Sequence, residues 1–263
     1  MRWTVVLPFL CHFAIAEELA FPSPAASAEL AFPLGNGALF SRLAGDTKRE
    51  TFPLWTELAK IDQPADPKKP SLGFTGTARA ELIFDWLDAE GEATGYQRQL
   101  HLTDGLATVT FKRGGAGFTW TTFISKPDEL LVLHLRTDKP GSLSFRVQLD
   151  AKGRKAKVED RRILFVEDKD FATRAWVYPM ESDVTPGENE ITVKGEGEAL
   201  ILLAATADAA KIPRLPDRIK ALTGEGHPDT FALWNGLLER HRKAYREANQ
   251  AATFPGHLDA VRK

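Results

Sequence analysis

Residues Tyr96 to Asp150 constrain the fold more than any other stretch. Apolar residues alternate there in short runs: Leu100 and Leu102; Ala107, Val109 and Phe111; Leu131, Leu133 and Leu135; Leu143, Phe145, Val147 and Leu149. Each run ends in a turn signal: Asp104-Gly105, Gly114-Gly115, Lys126-Pro127-Asp128 or Lys139-Pro140-Gly141. Period two with regular breakers is the pattern of a multi-stranded antiparallel sheet. Alternation gives each strand one buried face and one wetter face. The apolar side then needs a covering layer, so a large β-sandwich is expected.

Shorter runs extend the array. Residues 80–87 (AELIFDWL), 163–166, 172–178, 190–193 and 199–204 read as strands, with Pro186-Gly187 and Gly195 to Gly197 as punctuation. Phe21 to Ala28 suits an extended lead-in. Gly35-Asn36-Gly37 between apolar flanks reads as a tight turn, because Gly and Asn tolerate positive φ. A close approach of a ligand or another domain to that backbone is the sharper reading. Asp62 to Gly76, with Pro64, Pro67 and Pro70, is a long loop. Lys152 to Arg162 is a basic hairpin end diluted by Glu159 and Asp160. Lys211 to Pro228, broken by Pro213, Pro216, Gly224 and Gly226, reads as loop.

Thr230 to Asn249 changes character. Phe231, Trp234, Leu237, Leu238, His241, Tyr245 and Ala248 fall on one helical face, opposite Glu239, Arg240, Arg242, Lys243, Arg246 and Glu247. Asp229 is placed as its N-cap. The expected fold class is thus mainly β, a large antiparallel sandwich over residues 17–210. A C-terminal loop, amphipathic linker helix and polar tail follow over 211–263.

The first sixteen residues have another use. Arg2, the apolar run TVVLPFLCHFAIA and the small-x-small pattern Ala14-Ile15-Ala16 fit a secretory signal, so export to a periplasmic or extracellular space is expected. The alternative is a buried first strand. The apolar run is too short to span a membrane. Cys11 is the chain's one cysteine, and cleavage after Ala16 would leave a mature protein with no thiol.

A net charge of -2 over 263 residues gives no electrostatic reason to expect nucleic acid. The chain shows no nucleophile elbow, no His-Glu-x-x-His and no Cys/His cluster of metal spacing, so no cofactor or metal is expected. Hydrolysis of a glycosidic bond needs two carboxylates facing each other across a cleft. No such pair can be nominated from spacing: Asp104, Asp128 and Asp138 sit where turn chemistry explains them. The six Trp and 16 Phe suit a bulky core. Exposed rings could instead stack on sugars, and Trp55, Trp86 and Trp120, with Asn36, are the carbohydrate-binding candidates.

Four segments together resemble a known family. They are FPLGNGALF at Phe32; the Tyr96-x-Arg98-x-Leu100-x-Leu102 strand with its Asp-Gly turn, continued by Ser125-x-Pro127-Asp128; ITVKGEGEALILLAATAD at Ile191; and the closing LLERHRKAYREA helix. This ordered set is similar to the N-terminal domain of glycoside hydrolase family 95, whose members are α-L-fucosidases and related α-L-galactosidases. The resemblance implies a β-sandwich set before an (α/α)6 barrel that carries the catalytic groups, with a helix linking the two. It carries over no catalytic residue. It implies a domain that is not a hydrolase alone, with a separate catalytic barrel or a fucosyl or galactosyl glycan as partner. A lectin-like module and a subunit of a split enzyme are the alternatives. The last predicts an open apolar stripe along Phe231, Trp234, Leu238 and Tyr245. The chain departs from the family at Leu39 to Arg42 and at Phe52 to Leu58, where an Asn-Glu pair is missing.

Overall fold

The computed structural model describes residues 18–56, 78–87, 91–181, 184–224 and 228–251. The expected signal at 1–16, the loop at 62–76 and the tail beyond 251 lie outside them. In chain order the strands are β1 (Glu18–Phe21), β2 (Phe32–Gly35), β3 (Leu39–Leu43), β4 (Arg49–Thr56), β5 (Ala80–Trp86), β6 (Thr94–His101), β7 (Leu106–Arg113) and β8 (Ala116–Ser125). They continue with β9 (Leu130–Thr137), β10 (Leu143–Asp150), β11 (Lys157–Glu159), β12 (Ile163–Asp168), β13 (Phe171–Pro179), β14 (Thr185–Pro186), β15 (Glu190–Glu196) and β16 (Glu198–Thr206). Two helices close the order, α1 (Leu215–Thr223) and α2 (Thr230–Ala251). No described helix is long and apolar enough to cross a membrane.

Among the described residues the strands form two sheets. The larger runs β1-β6-β7-β8-β9-β16-β13-β12-β11 and the smaller β14-β15-β10-β5-β4-β3-β2. Neighbours pair antiparallel, as Trp120 opposite Leu135 and Phe84 opposite Val147 illustrate. The sheets face each other across one apolar core. Val109, Phe111, Trp120, Leu133 and Ile201 of the large sheet meet Phe52, Leu82, Phe84 and Phe145 of the small one. At its centre Trp120 lies 5.3 Å from Phe84 and 5.6 Å from Phe52, ring centre to ring centre. Offset and tilted ring pairs at such distances add to the burial term.

The sandwich expected from the sequence is present, with two corrections. First, β9, β13 and β16 are buried along most of their length on both faces. The outward Phe123, Leu130, Val132, Leu200 and Leu202 form a second core with Ile212, Leu215, Ile219, Leu233, Trp234 and Leu237. The helices therefore act as a third layer over the large sheet. Second, part of the Lys211 to Pro228 loop is helical. Pro216 sits in the first turn of α1, where a missing N–H costs nothing. Gly224, at φ 71°, ends that helix, its N–H donating to the Lys220 carbonyl at 2.9 Å.

The outer face of the small sheet is a charged ladder. Arg49 of β4 and Arg146 of β10 flank Asp85 of β5 at 3.4 and 2.9 Å, and Arg146 also reaches Glu190 of β15 at 3.7 Å. That face is solvated; the helices lie on the opposite side of the molecule.

Candidate functional site: the end of the sandwich that carries the last helix

Three turns converge at one end of the sandwich, and each belongs to a segment singled out in the sequence. The first joins β2 to β3. The Asn36 amide carbonyl accepts the backbone N–H groups of Ala38 (2.9 Å) and Leu39 (2.8 Å), while its NH2 group donates to the Ser125 carbonyl at 2.9 Å. Gly37 follows at φ 95°. Gly-Asn-Gly is therefore a tight turn whose Asn closes the turn and ties it to the end of β8.

The second turn joins β8 to β9. The Ser125 hydroxyl donates to Asp128 at 2.6 Å, and Asp128 accepts Arg240 Nε of α2 at 2.9 Å. The next residue, Glu129, is held at φ 51° and takes Arg218 of α1 and, at 3.7 Å, Lys211. Adjacent carboxylates on one hairpin thus fasten two different helices.

The third turn joins β6 to β7. Asp104 lies 3.0 Å from Arg242 Nε and 2.6 Å from Arg246 Nη2, both on α2. Burial acts to raise the Asp104 carboxyl pKa, but the Arg246 bond and the Arg242 charge outweigh it and hold the group below its ordinary range. His241 Nε2 faces the Asp104 carbonyl at 3.0 Å and the Gly105 carbonyl at 3.3 Å, which places the ring proton on that nitrogen. Burial holds the His241 pKa below its usual value, against the pull of those carbonyls. Gly105 has φ 65°, and a Cβ there would sit 2.5 Å from the Tyr245 ring.

Further along α2, Trp234 stacks on His134 of β9, with centroids 4.0 Å apart, and lies 5.9 Å from Phe123. His134 Nε2 in turn meets Glu198 at 2.6 Å. Burial again lowers the histidine's pKa, and Glu198 opposes it. The Tyr-x-Arg pair of β6 works on the opposite face of its strand. The Tyr96 hydroxyl donates to the Gly45 carbonyl at 2.8 Å, and Arg98, 2% exposed, donates to the Leu30 carbonyl at 3.0 Å. Nearby, Glu50 accepts the N–H groups of Ala44, Gly45 and Asp46 at 3.1, 2.6 and 2.8 Å. That part of the motif shapes the β3–β4 connection.

Between the three turns and α2 lies a cleft of about 360 Å³, lined by Leu34, Asn36, Leu102, Ile124, His241 and Tyr245 among others.

Asn36 sits in the tight turn expected of it, while the nominated tryptophans and most of the α2 stripe sit elsewhere than expected. Trp86 and Trp120 are core rings, 7% and 0% exposed. Trp55 is 8% exposed, with the Arg42 guanidinium 5.0 Å over its ring. None of the three offers an open face for a sugar. The apolar stripe of α2 is covered too: Trp234 is buried, and Leu238 and Tyr245 are half-buried against the sheet and its turns. Phe231 alone of the four is exposed, at 59%. Sequence reasoning missed the anchors Asp104, Asp128, Glu129, Arg240, Arg242 and Arg246. Turn chemistry accounted for the two Asp residues, and the arginines read as a solvated face. The i, i+4 spacing of Arg242 and Arg246 was the one available hint that both serve a single acceptor.

Comparison with known proteins places this architecture. Alpha-L-fucosidase 2 of Arabidopsis thaliana is 25% identical over 166 residues, covering 51% of this chain and 20% of the fucosidase. The chain thus spans about a fifth of the length of that relative. A bacterial glucoamylase, solved in complex with acarbose, superposes with a TM-score of 0.51 at 11% identity, covering 88% of this chain and 38% of its own. At that identity the likeness concerns the fold alone. The family described as glycosyl hydrolase family 65, N-terminal domain, matches residues 75–211, more than half of the sequence, and the chain belongs to it.

Proposed function

We propose that this chain is a non-catalytic N-terminal sandwich of the α-L-fucosidase type, of the family 95 kind, that acts as a rigid seat for α2. Through α2 it orients a helical catalytic unit. One observation carries the reading: α2 is fixed to the sandwich by ion pairs to Asp104 and Asp128 and by the buried Trp234 and Leu237. A helix held along most of its length defines the direction of a polypeptide attached to its end. The fucosidase relative supports an L-fucosyl glycan as the substrate class of the assembled enzyme; the L-galactosyl alternative rests on the resemblance of the sequence segments alone. The signal-like first sixteen residues support export. Burial of Trp55, Trp86 and Trp120 speaks against the lectin-like alternative.

The test is turnover of aryl α-L-fucoside and aryl α-L-galactoside by the purified chain alone. No hydrolysis above the blank is expected. Turnover abolished by substitution of one carboxylate would overturn the non-catalytic reading.

A further inference from the structure

We propose that the cleft between the Gly-Asn-Gly turn and α2 is a docking socket for polypeptide, receiving an apolar side chain with a carboxylate beside it. This rests on the proposed function, in which a helical catalytic unit is the partner, and it names the chemistry of the contact.

The cleft is pre-formed. Asn36 fixes one wall through its bond to Ser125, and His241 fixes the other through the Asp104 and Gly105 carbonyls. Its surface is mostly aliphatic: Leu34, Leu100, Leu102, Ile124, Ala244 and Ala248, with the Tyr245 ring. Two of the polar side chains are committed to the fold, leaving the Tyr245 hydroxyl and Lys126 as the other polar side chains of the lining. The Asn36 amide already makes three hydrogen bonds, and His241 Nε2 faces two carbonyls. Lys126, exposed at the rim, is the one full positive charge among the lining residues, and none of them is acidic.

This composition selects among occupants. A sugar brings several hydroxyls, and against Leu34, Leu102 and Ile124 most would lose their water partners without replacement. A cationic group would meet Lys126. An apolar side chain fills the aliphatic walls, and a neighbouring carboxylate answers Lys126. Location points to polypeptide as the source. Ala244, Tyr245 and Ala248 lie in the last two turns of α2 before Ala251, so the socket continues the surface that already holds the helix. A segment tethered beyond α2 would meet the cleft at high effective concentration.

The probe is a fluorescein-labelled octapeptide, GSDFLESG, titrated against the full chain by fluorescence polarisation. Its charge-reversed counterpart is GSKFLKSG. The acidic peptide is expected to bind, and Ala244→Trp, which fills the cleft, to weaken it about tenfold. Lys126→Glu and the basic peptide should each lose roughly threefold or more. Melting curves establish that the variants are folded. If Ala244→Trp does not fold, Lys126→Glu and the charge-reversed peptide decide the matter. Equal binding by both peptides, no binding by either, or displacement by saturating L-fucose would overturn the socket. These outcomes leave the non-catalytic reading standing, which only hydrolysis by the chain can remove.

Discussion

Gly105 tests how α2 is seated. Its φ of 65° lies in the left-handed region, and a Cβ would come 2.5 Å from the Tyr245 ring. Gly105→Ala therefore incurs two separable costs. Left-handed backbone costs an L-residue about 1 kcal/mol or somewhat more. Overpacking against a ring that cannot retreat adds roughly 1–3 kcal/mol. Tyr245 is poorly placed to move, since its helix is pinned by Arg242 and Arg246 on Asp104, one residue before the substitution. The sum, about 2–4 kcal/mol, corresponds to a melting-temperature drop of roughly 5–15 °C for a domain of this size. The assay is a double-mutant cycle read by thermal unfolding. Tyr245→Ala removes the clashing ring, so adding Gly105→Ala to it should cost only the backbone part, about 1 kcal/mol. The coupling between the two positions is then about 1–3 kcal/mol. A Gly105→Ala protein that melts like the wild type would refute this packing. So would a full Gly105→Ala cost that persists without the tyrosine ring.

The same interface yields further expectations. Asp128→Ala should cost about 1–3 kcal/mol, because the buried Ser125 hydroxyl loses its acceptor and Arg240 its partner, whereas Arg240→Ala should cost less, about 0.5–1 kcal/mol, since that side chain is 43% exposed and Asp128 keeps the Ser125 hydroxyl; chemical denaturation of both variants separates them. His134 and His241 have pKa values held below 6.5 by burial, so the unfolded chain takes up their protons first as pH falls. Stability from these groups is complete above about 6.5 and is lost as pH drops through their folded values. Melting temperature against pH should accordingly fall less steeply on the acid side in His241→Gln than in the wild type. An unchanged acid limb would mean that His241 is not buried as described.

Much of the sandwich is written in period two. Strands β5, β6, β7, β9 and β10 follow from apolar alternation between turn residues, because one-sided burial forces that pattern, and β8 fills the interval between two turn signals. Alternation cannot say which layer covers which face. Trp86 sits on a correctly read strand and Trp120 between the Gly114-Gly115 and Lys126-Pro127 turn signals, yet pleat parity alone left open whether their rings point to the core or to solvent. The run Leu130 to Leu133 carried the clue, since continuous apolar residues belong to a strand covered on both sides. The cover was α2, whose amphipathic face was legible while its target was not. Amphipathicity shows that a face is buried and gives no hint of what lies against it. α1 was hidden by Pro213 and Pro216, which break a helix only when they lie past its first turn. The anchors Asp104 and Asp128 were read as turn formers, which they are; their second role depends on a helix, α2, more than 100 residues away in sequence.

A sandwich and helix that move as one body are what allow α2 to orient a catalytic unit. Amide hydrogen exchange along Leu233 to Tyr245 tests this most directly. Protection comparable to that of β9 and β16, the strands beneath the helix, is predicted, because opening α2 would expose Trp234, Leu237 and the second core. Rapid exchange through α2 alongside protected β9 and β16 would contradict it, since a helix that frays from its sheet cannot serve as a seat.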